Sequence, residues 1–167
     1  MTATVCFAHG KESGPWGRKI SAMAEYARAR GLTVMSPDYQ FTMDPDERVR
    51  HLLAQSLPPS GELILVGSSM GGYVSAVASG QLRPRGLFLL APAVDIPGYD
   101  ADTTPGSERV DVVHGWHDDL IPPEIVYGWA KRHRARLHLV DSEHTLTSAL
   151  PWICNAFDTF LAETVGG

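Results

Sequence analysis

The sequence predicts an α/β fold: a six-stranded, parallel, doubly wound sheet between helical layers, making a three-layer α/β/α sandwich. Short apolar runs of strand length take turns with longer stretches whose apolar residues recur at helical spacing. The apolar runs, such as Glu62 to Val66 and Gly86 to Leu90, are continuous rather than alternating, as strands covered on both faces require. No repeat, low-complexity tract or linker interrupts the pattern, so residues 1–167 are expected to form one domain.

The first strand is read from Thr4 to Ala8, followed by the loop His9-Gly10-Lys11-Glu12-Ser13-Gly14-Pro15. A helix from about Trp16 to Arg30 places Ile20, Met23, Ala24 and Ala27 on one face, and Gly31 is suited to stop it. Leu32 to Met35 is a second strand. Asp44 can cap a second helix, with Pro45 in the first turn and Glu47 three residues beyond the cap. Its apolar stripe is Val49, Leu52 and Leu53, and Pro58-Pro59 prevents continuation. The third strand, Glu62 to Val66, runs directly into Gly67-Ser68-Ser69-Met70-Gly71-Gly72, and a helix is expected from Tyr73 to about Gln81. Strands follow at Gly86 to Leu90, Arg109 to Val113 and Arg136 to Val140. The last helices are expected at Pro122 to His133 and Ala149 to Ala162.

Composition excludes several classes. Fourteen basic residues against nineteen acidic ones give a formal charge of −5, which leaves no basic excess for a general nucleic-acid binder. No stretch approaches the ~20 apolar residues that span a bilayer, and MTATVCFAHG lacks the basic and apolar regions of an export signal. A cytoplasmic protein with no membrane association is therefore expected. The two cysteines, Cys6 and Cys154, read as buried thiols rather than a disulfide scaffold.

In a parallel sheet, chemistry gathers in the loops at the carboxyl ends of the strands. The main motif there is Gly67-x-Ser69-x-Gly71, between an apolar strand and a helix. A serine at the tip of so tight a turn needs small neighbours for strand and helix to approach, and Gly67, Gly71 and Gly72 supply them. The turn also directs the Met70 N–H to where an oxyanion would form. A Walker loop would require a lysine that is absent, and the dinucleotide pattern fails because its second glycine falls on Ser69. Ser69 is thus the candidate nucleophile.

A serine hydroxyl needs a neighbouring base. His144 lies in the loop after the last strand, at the correct end of the sheet, whereas His51, His133 and His138 fall within or at the ends of elements. The carboxylate that orients such a histidine is sought in His114-Gly115-Trp116-His117-Asp118-Asp119, where Asp118 and Asp119 are both candidates. His114 and His117 with these aspartates could suggest a metal site, but the ligand set is thin, and no metal is expected. The second oxyanion donor is expected from the first βα loop, at the backbone N–H of Lys11. His9, Tyr73, Ile96, Tyr99 and Trp116 are candidates to line a pocket.

Together these segments resemble the α/β-hydrolase superfamily. The resemblance rests on His9-Gly10, Val66-Gly67-Ser68-Ser69-Met70-Gly71-Gly72-Tyr73, Gly115-x-x-Asp118-x-x-Ile121-Pro122 and the His144 loop. The elbow and short length are most similar to the compact YqiA-type esterases. The resemblance selects Asp118 over Asp119 and implies a catalytic triad of Ser69, His144 and Asp118. It further implies hydrolysis of a small-molecule ester or thioester through an acyl-enzyme, without a cofactor. The chain departs from the family pattern at its start, where two strands are missing, and in Val94 to Glu108, which is too short and too rich in Pro and Gly for a helical cap. The site is therefore expected to be open. Two rival readings share this scaffold: a non-catalytic binding protein, which has no reason to activate Ser69, and an acyltransferase using another acceptor.

Overall fold

A computed structural model describes residues 2–166. Six strands form one parallel sheet: β1 (Thr4–Ala8), β2 (Thr33–Met35), β3 (Leu63–Ser68), β4 (Gly86–Leu90), β5 (Val110–Gly115) and β6 (Arg136–Val140). Their spatial order is β2-β1-β3-β4-β5-β6, so β3, which carries the Ser69 turn, is central. The register is continuous across the middle of the sheet, pairing Phe7 with Val66, Val66 with Phe88, and Leu89 with Val112.

Five helices cover the two faces: α1 (Arg18–Ala29), α2 (Pro45–Leu53), α3 (Met70–Leu82), α4 (Pro123–Arg132) and α5 (Leu150–Val165). Because side chains alternate along a strand, each strand feeds both layers. Val5, Phe7, Ile64, Val66, Phe88 and Leu90 pack with Ile20, Met23, Phe157 and Phe160 of α1 and α5. Cys6, Leu65, Leu87, Leu89 and Val112 pack on the other side with Leu52, Val74, Val126 and Trp129 of α2, α3 and α4. The continuous apolar runs of the sequence are the consequence of this two-sided burial.

Local chemistry sets the ends of the elements. Gly31 adopts φ +75, and the chain reverses with Gly31 N–H on Arg28 O and Leu32 N–H on Ala27 O, a Schellman closure of α1. Asp44 caps α2 by accepting from the N–H groups of Asp46 and Glu47. Glu47 does not reach back to the cap as a capping box would; it accepts from Thr42 Oγ1 at 2.5 Å instead. The main boundary difference is at α3, which begins at Met70 rather than Tyr73. Gly71 and Gly72 are poor helix formers, but close packing of the helix start on the neighbouring strand and Pro92 decides their conformation. α1 starts at Arg18, two residues later than expected, and α5 continues to Val165 after a 3-10 turn at Thr147–Ala149.

Residues 94–108 form neither helix nor strand. They pack down against α3 and α4: Ala101 N–H donates to the Tyr73 hydroxyl, Gly106 N–H to Ser79 Oγ, and Trp129 Nε1–H to Thr103 Oγ1. This segment leaves the carboxyl end of the sheet uncapped, as the sequence predicts. None of the described helices is long and apolar enough to cross a membrane.

Candidate active site

Ser69 stands between β3 and α3 with φ 55 and ψ −117, a conformation an L-residue adopts only when its surroundings impose it. The main chain does so here. Ser69 N–H donates to Leu90 O of β4, and Ser69 O accepts from the N–H groups of Gly72 and Ala93. A Cβ on Gly71 would lie 1.9 Å from Ala8 O, so only glycine lets α3 begin directly above β1. The helix therefore starts at the nucleophile, and the positive end of its dipole faces the serine.

His144 reaches the serine from the loop after β6. Its Nε2 is 2.9 Å from Ser69 Oγ, and its Nδ1 is 2.6 Å from Asp118 Oδ2. A carboxylate only accepts, so Nδ1 carries the proton and Nε2 presents its lone pair to the Ser69 hydroxyl. Asp118 is held in turn by its other oxygen, Oδ1, which accepts from Leu120 N–H at 2.9 Å and Ile121 N–H at 2.8 Å. The acid and histidine loops are joined by main-chain contact: a Cβ on Gly115 would lie 2.2 Å from Ser142 O, and His117 N–H donates to that same oxygen.

The structure thus brings Ser69, His144 and Asp118 together, and it leaves Asp119 exposed and outside the cluster. His114 and His117 diverge. His117 is on the surface beside Asp141, whereas the buried His114 donates from Nε2 to Ile121 O at 2.8 Å and lies 3.3 Å from Asp118 Oδ2. Its Nδ1 is buried without a partner. Burial holds the His114 ring below the usual histidine range, so it serves as a neutral donor behind the aspartate.

His9 is also buried and neutral. Its Nδ1–H donates to Gly10 O and its Nε2 accepts from Tyr39 N–H, with burial the largest cause of a lowered pKa. It fixes the loop after β1, where Gly10 lies against Ser69: a Cβ there would be 3.7 Å from Ser69 Cβ.

A cleft of about 690 Å³ opens over Ser69 and His144, within the size range of small-molecule sites. The sheet order divides its lining. Lys11, Arg18 and Lys19 come from the β1 side of Ser69, while Ala93, Ile96, Tyr99, Leu120 and Ile121 come from the β4 and β5 side. Of the expected pocket residues, His9, Ile96 and Tyr99 line the cleft, but Tyr73 and Trp116 do not; Lys11 lines it as well. With α3 starting at Met70, Tyr73 falls on the inner face of its first turn, fully buried, and its hydroxyl donates to Asp46 Oδ1. Trp116 is 55% exposed on the surface of the acid loop. Sequence reasoning missed Arg48, whose buried guanidinium meets the His9–Lys11 loop from behind. The available signal was its position one turn before Leu52, on the buried face of α2.

A parallel sheet with an elbow-borne serine, and a histidine and an aspartate on the two loops beyond it, defines an α/β hydrolase. The chain belongs to UPF0227, an uncharacterised protein family, which it matches over residues 4–103. That match contains Ser69 but not Asp118 or His144. A solved structure from Xanthomonas campestris pv. campestris, assigned to the hydrolases of the alpha/beta superfamily, is 35% identical. Its TM-score is 0.83, and the alignment covers 98% of this chain and 99% of that one. A serine hydrolase without lid, also from Xanthomonas campestris, matches with a TM-score of 0.73 at 23% identity over 96% of this chain and 81% of that one. Est1E from Butyrivibrio proteoclasticus matches with a TM-score of 0.77 at 16% identity, covering 99% of this chain and 89% of that one. These last two likenesses are of fold. No curated protein matches the sequence.

Proposed function

We propose that the protein is a serine hydrolase of carboxylic esters or thioesters, with Ser69 as nucleophile, His144 as general base and acid, and Asp118 as the group that orients the histidine. The observation that carries this reading is the unbroken relay from Ser69 Oγ through His144 to Asp118, at 2.9 and 2.6 Å. In this mechanism Ser69 attacks the acyl carbon as His144 Nε2 takes its proton. The N–H groups of Met70 and Lys11 receive the oxyanion. Collapse expels the alcohol or thiol, protonated by His144, and leaves an acyl-enzyme. Water activated by the same histidine releases the acid.

The imidazolium formed at each step is stabilised by a carboxylate that two backbone N–H groups keep from rotating. The open cleft, which Ile96 and Tyr99 line at one side while the segment beyond them packs against α3 and α4 rather than over it, favours small or surface-presented acyl groups. A cytoplasmic setting goes with this reading and is supported by two cysteines that are free and buried.

The test is hydrolysis of p-nitrophenyl acetate and butyrate by the wild type and Ser69→Ala, with fluorophosphonate labelling mapped by mass spectrometry. Label on Ser69 and a loss on the order of 10⁶ in kcat for the variant are expected. A folded wild type that neither turns over nor labels would move the assignment to a binding protein on a hydrolase scaffold.

A further inference from the structure

Arg48 is a charged side chain with no exposed surface, and among the described residues it has no carboxylate partner. Its guanidinium spends its donors on main-chain carbonyls. Nε donates to Thr42 O at 2.9 Å, Nη1 to Gly10 O at 3.0 Å and His9 O at 3.4 Å, and Nη2 to Lys11 O at 3.1 Å. The Met43 sulfur lies 3.9 Å away and the Tyr39 ring 5.9 Å to its centroid, and Tyr99 and the Asp38 carboxylate, though not bonded to it, act on its charge. Burying a charge away from water is costly unless dense hydrogen bonding compensates it. Here three of the four carbonyls it holds belong to consecutive residues of one loop, and the fourth is Thr42 O.

We propose that Arg48 is a positioning residue for the oxyanion site, fixing the backbone N–H of Lys11 toward the reacting centre. The inference rests on the hydrolase reading above. Across a planar trans peptide the C=O of one residue and the N–H of the next point in opposite directions. Holding Gly10 O therefore sets the direction of Lys11 N–H. Arg48 lies outside the cleft, on the α2 side of the loop, so the opposed N–H is turned away from it, toward the side where Lys11 lines the cleft beside Ser69.

Gly10 O is also gripped by His9 Nδ1–H at 2.8 Å and by Ser13 Oγ–H at 3.3 Å. It is the most heavily held carbonyl of the loop, and it belongs to the peptide whose N–H the mechanism needs. A cation at the oxygen end also polarises that peptide, making its N–H a stronger donor at the moment negative charge develops. His9 cannot supply this effect because its ring is neutral.

The experiment compares wild type, Arg48→Met and Arg48→Lys with p-nitrophenyl butyrate, and measures inhibition by an alkyl trifluoromethyl ketone, whose serine adduct carries the oxyanion. Arg48→Met is expected to lower kcat about 10- to 100-fold, less than the 10²–10³ of deleting a donor outright. KM should stay within about threefold, and the ketone should weaken by the same factor as kcat. The pH midpoint of kcat/KM should not move, because the base is untouched. Arg48→Lys, which keeps the charge but not the fork, should fall between the two.

If Arg48→Met does not melt cooperatively, Arg48→Lys decides. Wild-type kcat and ketone affinity in a folded variant would overturn the proposal. So would active-site titration showing fewer competent molecules, each as fast as wild type, because that is loss of fold rather than of positioning. An inert, unlabelled wild type overturns the hydrolase reading itself, and this inference with it.

Discussion

Replacing Asp118 with asparagine tests the histidine relay most directly. Asp118 uses both oxygens: Oδ1 for the N–H groups of Leu120 and Ile121, and Oδ2 for His144 Nδ1–H. Asparagine has one acceptor and must choose. With its oxygen toward Leu120 and Ile121, its NH₂ faces His144 and forces the imidazole proton to Nε2, where the ring cannot deprotonate Ser69. In the flipped orientation the NH₂ confronts two backbone donors, each costing about 1–3 kcal/mol when left unpaired. His114 pulls little toward the flip because it already donates to Ile121 O. A total of roughly 2–6 kcal/mol thus favours the inactive arrangement, leaving an active fraction between about 3% and well under 0.1%.

Loss of the charge that stabilises the imidazolium lowers the rate further. The expected fall in kcat is about 10³–10⁴, or about 4–5.5 kcal/mol of transition-state stabilisation. Steady-state hydrolysis of p-nitrophenyl butyrate at pH 7.5, normalised by active-site titration, measures it. Asp119→Asn is the control and should stay within about twofold, as an exposed residue away from the relay. An Asp118→Asn enzyme within tenfold of wild type would refute the tautomer argument.

Gly71→Ala should destabilise the fold by about 3 kcal/mol or more in urea unfolding, because its Cβ would meet main-chain oxygens that cannot rotate aside. Stability should also decline as pH falls. The His9 and His114 rings titrate below their unfolded value near 6.5, so the unfolded chain binds more protons in that range. Tm should be level above about pH 7 and drop progressively below pH 6.5, and His114→Phe should flatten that slope. Burial pushes the Cys6 thiol up to about 12, so Ellman's reagent at pH 8 should leave Cys6 unmodified in the native protein and modify it in guanidinium.

The fold was legible because the four inner strands advertise two-sided burial, and the relay because each of its members follows a different strand. Element ends read well where a single residue decides them, as at Gly31 and Asp44. They read less well where packing overrides propensity: Gly71-Gly72 obscured the start of α3, and that shift is also why Tyr73 was expected in the pocket and lies in the core. Arg48 was hidden by its chemistry. An arginine in an amphipathic helix normally caps its apolar stripe with a solvated head, and it is the fold, by bringing the β1 loop against α2, that gives this one three further carbonyls besides Thr42 O. His114 belongs to the same class. Its role behind Asp118 depends on a turn that brings Ile121 O over β5, which no local pattern announces.

The uncapped segment at 94–108 has a consequence for how the enzyme could be taken apart. It is exposed around Pro97-Gly98 and joins two halves of unlike content. The amino-terminal half carries Lys11, Arg48 and Ser69, and the carboxyl-terminal half carries Asp118 and His144. Neither half holds the whole of the proposed reaction centre. The halves meet along the β4–β5 ladder, Leu87 to Leu90 against Val110 to Val113, and through α1 against α5. Divided at Pro97-Gly98, the chain becomes a pair of silent fragments whose turnover reports their reunion: a split reporter whose signal depends on the sheet zipping shut across its own middle.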